Sequence, residues 1–214
     1  MNQISGGLKK YFGQWQRFPK PVGEWQRGEE HVWNEGRLEA LQYIVDSSKS
    51  VLDCGCGIGL DYQPLSQLKY FGVDITPKFI VEAQRLGVPC QEANVLCLPF
   101  RNKSYETVYC RNLLLHLPPD QVFNALDEML RVAAKQVVTM EPAWLSEADY
   151  KIRELIDCNT EDQLMFFSNN YGEQEMKMYI AGKKLKVHWW RGHDTARSNF
   201  LHKPMQWQVT VYTK

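Results

Sequence analysis

"VLDCGCGIGLD", residues 51–61, sets three glycines and two cysteines between a short apolar run and an aspartate. Ser50 to Cys54 has the composition of a buried strand, so the glycines open the loop that follows it. Three chemistries compete for such a loop. A tetrahedral metal site needs two further soft ligands arriving together, whereas Cys90, Cys97, Cys110 and Cys158 are scattered singly, so no metal is assigned. A Walker phosphate loop needs Lys-Ser or Lys-Thr after its glycines, and there is none. A dinucleotide fingerprint starting at Gly55 and Gly57 would put its third glycine on Leu60. The spacing is instead G-x-G-x-G, preceded by Asp53.

The surrounding chain alternates between strand-like and helix-like segments. Leu38, Leu41, Ile44 and Val45 predict an amphipathic helix over 35–46. "KYFGVDI" (69–75) predicts the second strand. "TPKFIVEAQRLG" (76–87) predicts a helix capped by Thr76 and stopped by Gly87, with Phe79, Ile80, Ala83 and Leu86 on its inner face. "VPCQEANV" (88–95) and "YETVYCRN" (105–112) read as strands, and "PPDQVFNALDEMLRVAAK" (118–135) as a helix burying Val122, Leu126, Met129 and Leu130. "QVVTMEP" (136–142) is a fifth strand. "LKVHWWRG" (185–192) and "MQWQVTVYTK" (205–214) predict a closing pair, antiparallel to each other. Strands alternating with helices imply an α/β fold, a mostly parallel sheet with helices on both faces.

At 214 residues and 44% hydrophobic content the chain suits one domain, 1–214. Within it, 1–34 reads as an N-terminal arm or lid, dense in aromatics such as Trp15, Trp25 and Trp33. Residues 143–184 read as an insertion contributing to an acceptor pocket, with "SEADYKIRELIDC" (146–158) able to form a helix. Lys+Arg and Asp+Glu are equal at 25 each, which selects no polyanionic partner. Basic residues nevertheless gather in the arm (Lys9, Lys10, Arg17) and near the C-terminus (Lys183, Lys184, Lys186, Arg191). Six cysteines without regular spacing predict reduced thiols, and the absence of any membrane-length apolar stretch or signal core predicts a soluble cytoplasmic protein.

Small-residue turns at Gly55, Gly57 and Gly59 let backbone approach a ligand, and Asp53 at the strand end can accept hydrogen bonds from an ammonium group. Asp74 ends the next strand, where a carboxylate can take both hydroxyls of a ribose. A cationic amino acid joined to a nucleoside, with no phosphate between them, matches both acids. "DCGCGIG" (53–59), "GVDI" (72–75), "ANVLCLPF" (93–100), "YETVYCRNLLLHL" (105–117) and "LRVAAKQVVTMEP" (130–142) together resemble class I S-adenosylmethionine-dependent methyltransferases. The resemblance implies a Rossmann-like seven-stranded sheet of order 3-2-1-4-5-7-6 with an antiparallel seventh strand. It implies S-adenosyl-L-methionine as cofactor and S-adenosyl-L-homocysteine as product. Carried over by position, Asp53, Gly55, Cys56, Gly57 and Gly59 hold the methionine part and Asp74 the ribose. Ile75 packs on the adenine, Val95 offers its N–H to the ring, and Arg111 and Asn112 lie beside the cofactor. Asn94 stands where many members have an aspartate. Two further departures are "AAKQ" in place of the family's "LKPGG" turn, and a short Pro64-containing segment where the first helix should be.

In such an enzyme the sulfonium is already activated, so the protein aligns a nucleophile with the methyl group and excludes water. A general base is needed only if the acceptor arrives protonated; His116 and Glu141 are the first candidates, followed by His188 and His193, all expected near the C-terminal edge of the sheet. The compact domain favours an oxygen or nitrogen of a small-molecule acceptor. The basic, aromatic ends keep an RNA-modifying methyltransferase open, and a non-catalytic cofactor-binding subunit that regulates a partner is a third reading. The sequence does not identify the acceptor, the oligomeric state or the pathway.

Overall fold

The computed structural model describes residues 34–146, 171–198 and 204–214. Most of the expected arm, the middle of the expected insertion and the 146–158 helix beyond Ser146 lie outside the described residues. The elements are α1 (Asn34–Ser47), β1 (Ser50–Cys54), α2 (Tyr62–Leu65), β2 (Lys69–Asp74), α3 (Pro77–Arg85), β3 (Cys90–Glu92) and β4 (Tyr105–Arg111). After a 3-10 turn at Leu114–His116 come α4 (Pro119–Val132), β5 (Ala133–Pro142), α5 (Glu173–Gly182), β6 (Lys186–Ser198) and β7 (Pro204–Thr213).

The seven strands form one sheet of order β3-β2-β1-β4-β5-β7-β6. β3, β2, β1, β4 and β5 pair in parallel, and β7 runs antiparallel to both β5 and β6. Side-chain alternation divides the core in two. Val108, Cys110 and Val137 face Val122, Leu126 and Met129 of α4, while Tyr109, Val138 and Met140 face Leu41 and Ile44 of α1 and Ile80 and Ala83 of α3. Coverage on both faces explains why β1 reads as a continuous apolar run, with Val51, Leu52 and Cys54 fully buried.

Several local expectations are corrected. Leu86 is 47% exposed because α3 ends at Arg85 and Leu86 turns toward Gly87, which takes φ +80°. The Thr76 hydroxyl makes no capping bond to α3; proline at its first position and Asp74 behind it organise this end instead. β3 is confined to Cys90–Glu92, and part of the expected insertion is the helix α5. "AAKQ" makes no separate turn: α4 ends at Val132, Ala133 is already extended at φ −72° and ψ 131°, and β5 starts there. The first helix is brief, as Pro64 implied, with four residues in α2.

No described helix is long and apolar enough to cross a membrane. Leu126 sits fully buried between α4 and the sheet. Leu126→Ala should therefore cost about 2–5 kcal/mol of unfolding free energy in urea titrations. A loss below about 0.5 kcal/mol, as at an exposed site, would contradict this packing.

Candidate cofactor site

β1 lies between β2 and β4, so its last residues and the glycine loop open at the C-terminal edge of the sheet. The Gly55 and Cys56 amides both donate to the Val73 carbonyl, at 2.7 and 3.0 Å. Gly55 and Gly59 adopt φ +73° and +83°, which disfavours side chains, and neither has room for one. A Cβ on Gly55 would stand 3.0 Å from Leu113, and one on Gly59 would stand 2.6 Å from Val88. The Gly57 amide donates to Asp74 Oδ2 at 2.9 Å while the Thr76 amide donates to Oδ1 at 2.8 Å, tying loop and second strand together. Burial raises the Asp74 carboxyl, against the pull of these two amides, the Thr76 hydroxyl and the Ile75 amide.

Asp53 is 3% exposed and accepts the Tyr70 hydroxyl at 2.8 Å. Burial and the nearby Asp61 charge push its carboxyl up to about 8, against the opposing pull of Tyr70 and Arg111. Asp61, two residues past the last glycine, is 4% exposed. It receives Arg37 Nε at 2.5 Å, Arg111 Nε at 3.0 Å and the Tyr109 hydroxyl at 3.2 Å. Burial would raise this group too, but the two guanidinium groups outweigh that and hold it below the usual carboxylate range. Arg37 also donates to the Leu60 carbonyl at 2.9 Å. The Arg37 and Asp61 pairing was missed in the sequence, where each resembles surface charge.

The other expected residues gather along the same edge. Ile75 follows β2, half-buried; Asn94 and the buried Val95 follow β3. Asn94 Oδ1 accepts the Leu96 amide at 2.9 Å, so the amide oxygen at this position folds its own loop. Asn112, just after β4, takes φ +53°, and its Oδ1 is buried with no hydrogen-bond partner. An orphaned acceptor of this kind fits a ligand donor, as the glycine-rich loop fits a closely approaching ligand.

The candidate bases are placed less uniformly. Glu141, 4% exposed, accepts the Leu113 and Leu114 amides at 2.9 Å and the Leu115 amide at 3.3 Å, while Cys110 Sγ lies 3.7 Å away. Burial drives its carboxyl up to about 7 despite those donors. It thus caps the 3-10 turn that ends at His116, which is half-buried. Tyr171 ties the same turn to the later chain through the Leu114 carbonyl. His188 departs from expectation: it is exposed near the start of β6, the outer strand of the sheet, with its ring against Trp190. The backbone of His193 pairs with Gln206 beyond the end of β5, and its side chain lies outside the described residues.

Residues 51–136 match the methyltransferase domain family. The matched segment runs from β1 into β5 and carries the glycine loop and both strand-end acids. An uncharacterised protein of Methanocaldococcus jannaschii is 25% identical over 140 residues, 62% of this chain and 60% of the relative. The fold is shared with magnesium protoporphyrin IX methyltransferase of Synechocystis bound to S-adenosylhomocysteine: TM-score 0.65, 16% identity, covering 98% of this chain and 95% of that one. A Thermotoga maritima S-adenosylmethionine-dependent methyltransferase, described as a possible histamine N-methyltransferase, gives TM-score 0.65 at 17% identity, covering 95% and 99%. A complex from Haloferax volcanii, of the Trm112 methyltransferase activator with a protein described as a putative methyltransferase, gives TM-score 0.64 at 14% identity, covering 96% of each chain.

Asp53 makes the protein's stability depend on pH in a defined sense. Its folded value of about 8 lies above the ordinary 3.8, so the folded state holds a proton that the unfolded state releases. The stability this gives is complete below the unfolded value and is lost as pH rises through about 8. Without cofactor, Asp53→Asn should gain on the wild type in urea titrations as pH climbs from neutrality through that value. A stability difference that does not change with pH would show that Asp53 is ionised throughout.

Proposed function

We propose that the protein moves a methyl group in line from the sulfonium of S-adenosylmethionine to an oxygen or nitrogen of a small-molecule acceptor. The observation that carries this reading is the juxtaposition, across a glycine-rich loop, of a buried acid on β1 with an acid on β2 that the loop's Gly57 amide holds in place. Asp53 receives the methionine ammonium, and the Gly55 to Gly59 backbone, Cys56 included, lies along the methionine chain. Arg37, whose side chain is 13% exposed, is the cation facing the methionine carboxylate. Asp74 takes the ribose hydroxyls, Ile75 and Val95 enclose the adenine, and a remaining lone pair of Asn94 meets its amino group. Arg111 holds the loop through Asp61, with Asn112 beside it.

Once bound, the cofactor supplies an activated methyl group, and the protein's task is alignment and exclusion of water. Glu141, committed to three backbone amides, acts as a positioning residue that sets the turn carrying His116. His116 is then the base for an acceptor that arrives protonated. Two of the similar structures are named for small molecules, a magnesium porphyrin and histamine, which supports the acceptor class.

A second reading, methylation of RNA, draws on β6. Trp189 is 46% exposed there, and the Arg191 guanidinium lies 4.5 Å from its ring centroid, an arrangement on which a base could stack. RNA retention that falls steeply with salt supports this reading, and no retention at low salt removes it.

Calorimetric titration with S-adenosylhomocysteine tests the main proposal. Binding should be saturable, and Asp74→Ala should weaken it by roughly 10- to 100-fold, the loss of charge-assisted hydrogen bonds to the ribose. No binding to the wild-type protein would overturn the proposal.

A further inference from the structure

The cofactor loop carries a thiol with a partner. Cys56 lies inside the loop and Cys90 begins β3; they are 8% and 7% exposed and belong to the same apolar cluster, on one face of the sheet. Gly72 of β2 sits between them. It pairs with Cys90 across the β2–β3 ladder, and a Cβ added to it would meet Cys56 Sγ at 2.8 Å and Cys56 Cβ at 3.0 Å. The missing side chain at Gly72 thus gives Cys56 room to lie over β2 toward Cys90. The two thiols thus lie on one face of the sheet on either side of Gly72, and their interaction lowers the Cys90 thiol from its ordinary range and, with burial, raises that of Cys56. Among the described residues, Cys56 Sγ has a long contact to the Gly57 carbonyl at 3.7 Å and Cys90 Sγ one to the Ile80 carbonyl at 3.9 Å. Cys54 and Cys110 differ: both are fully buried, and both are pushed up by burial first.

We propose that Cys56 and Cys90 are a redox modification site, closing to a reversible disulfide under a hydroperoxide and thereby weakening cofactor binding. The Cys90 sulfur attacks the hydroperoxide oxygen, breaking the O–O bond, and the proton of its thiol goes to the departing oxygen, giving a sulfenic acid and one water or alcohol. Cys56 then attacks the Cys90 sulfur, the S–S bond forms, and the hydroxyl leaves as water with the Cys56 proton. The two thiols lose two electrons, and these reduce the peroxide. A disulfide holds its sulfurs about 2.05 Å apart, so Cys56 must be drawn across Gly72 onto β3. Gly57 follows immediately in the chain, and its amide holds Asp74 Oδ2 at 2.9 Å. The bridge pulls on this contact, which joins the two halves of the cofactor site. The effect on binding rests on the cofactor reading above; formation of the bridge does not.

The test treats the purified full-length protein with hydrogen peroxide, maps disulfides by peptide mass spectrometry and titrates S-adenosylhomocysteine before and after. A Cys56–Cys90 bridge should appear, affinity should fall by about tenfold or more, and dithiothreitol should reverse both changes. Cys90→Ser should bind as the untreated wild type does and keep its affinity after peroxide, which separates this pair from the exposed Cys97. Absence of the bridge overturns the site. Its presence with unchanged affinity overturns the regulation, as does equal peroxide sensitivity in Cys90→Ser. A reduced wild-type protein that binds no S-adenosylhomocysteine counts against the cofactor reading instead, while the mapped bridge still decides the redox pair.

Discussion

Three acidic side chains converge where the central strands of the sheet end, and the buried carboxylate of Asp61 decides how they coexist. It takes donors from α1 through Arg37 and from β4 through Tyr109 and Arg111, and it lies two residues past the last glycine. Helix, loop and strand are therefore fastened at one anion. Removing one partner of such a group leaves an uncompensated buried charge, at a cost of about 3–5 kcal/mol. The glycine loop is consequently a held shape, further pinned by the Val73 carbonyl below it and by the Asp74 carboxylate beside it.

This arrangement also explains the electrostatics of the site. The two arginines largely satisfy Asp61, so Asp53 is left with the Tyr70 hydroxyl and a weaker pull from Arg111. Burial and the Asp61 charge, thus incompletely opposed, raise its carboxyl to about 8. A site built this way holds a proton when empty and trades it for a ligand cation, which suits an ammonium-bearing ligand. On the other side of the loop, Glu141 takes the amides after β4 and fixes the turn that carries His116. The proposed cofactor and acceptor sides thus rest on two different buried carboxylates, held by side-chain cations in one case and by backbone amides in the other.

Much of this was legible in the sequence because its determinants are local. Asp53, the glycine spacing and Asp74 each sit at a strand end that apolar runs and glycine mark, and the order of segments matched the seven-stranded sheet. What was not legible depends on distance in the chain. Arg37 and Asp61 are 24 residues apart, and nothing in either neighbourhood signals the other. Glu141 reads as a candidate base until its partners at 113–115 are in view. The 3.6-residue periodicity placed Leu86 inside α3, although the helix had ended one residue earlier. His188 sits in a strand that the pattern located correctly, but its height along that strand follows from pairing with β7 alone. The two cysteines of the glycine loop also separate on folding, Cys54 into the core beside α4 and Cys56 over Gly72 toward Cys90.

The central claim is that a carboxyl kept protonated by its surroundings receives the cation of the cofactor. Calorimetry of S-adenosylhomocysteine binding near pH 7, in buffers of different ionisation enthalpy, measures this directly through the protons exchanged. With Asp53 pushed up to about 8, binding should release about one proton to the buffer, and Asp53→Asn should abolish that release. Binding with no proton release, or a release that survives in Asp53→Asn, would contradict the account.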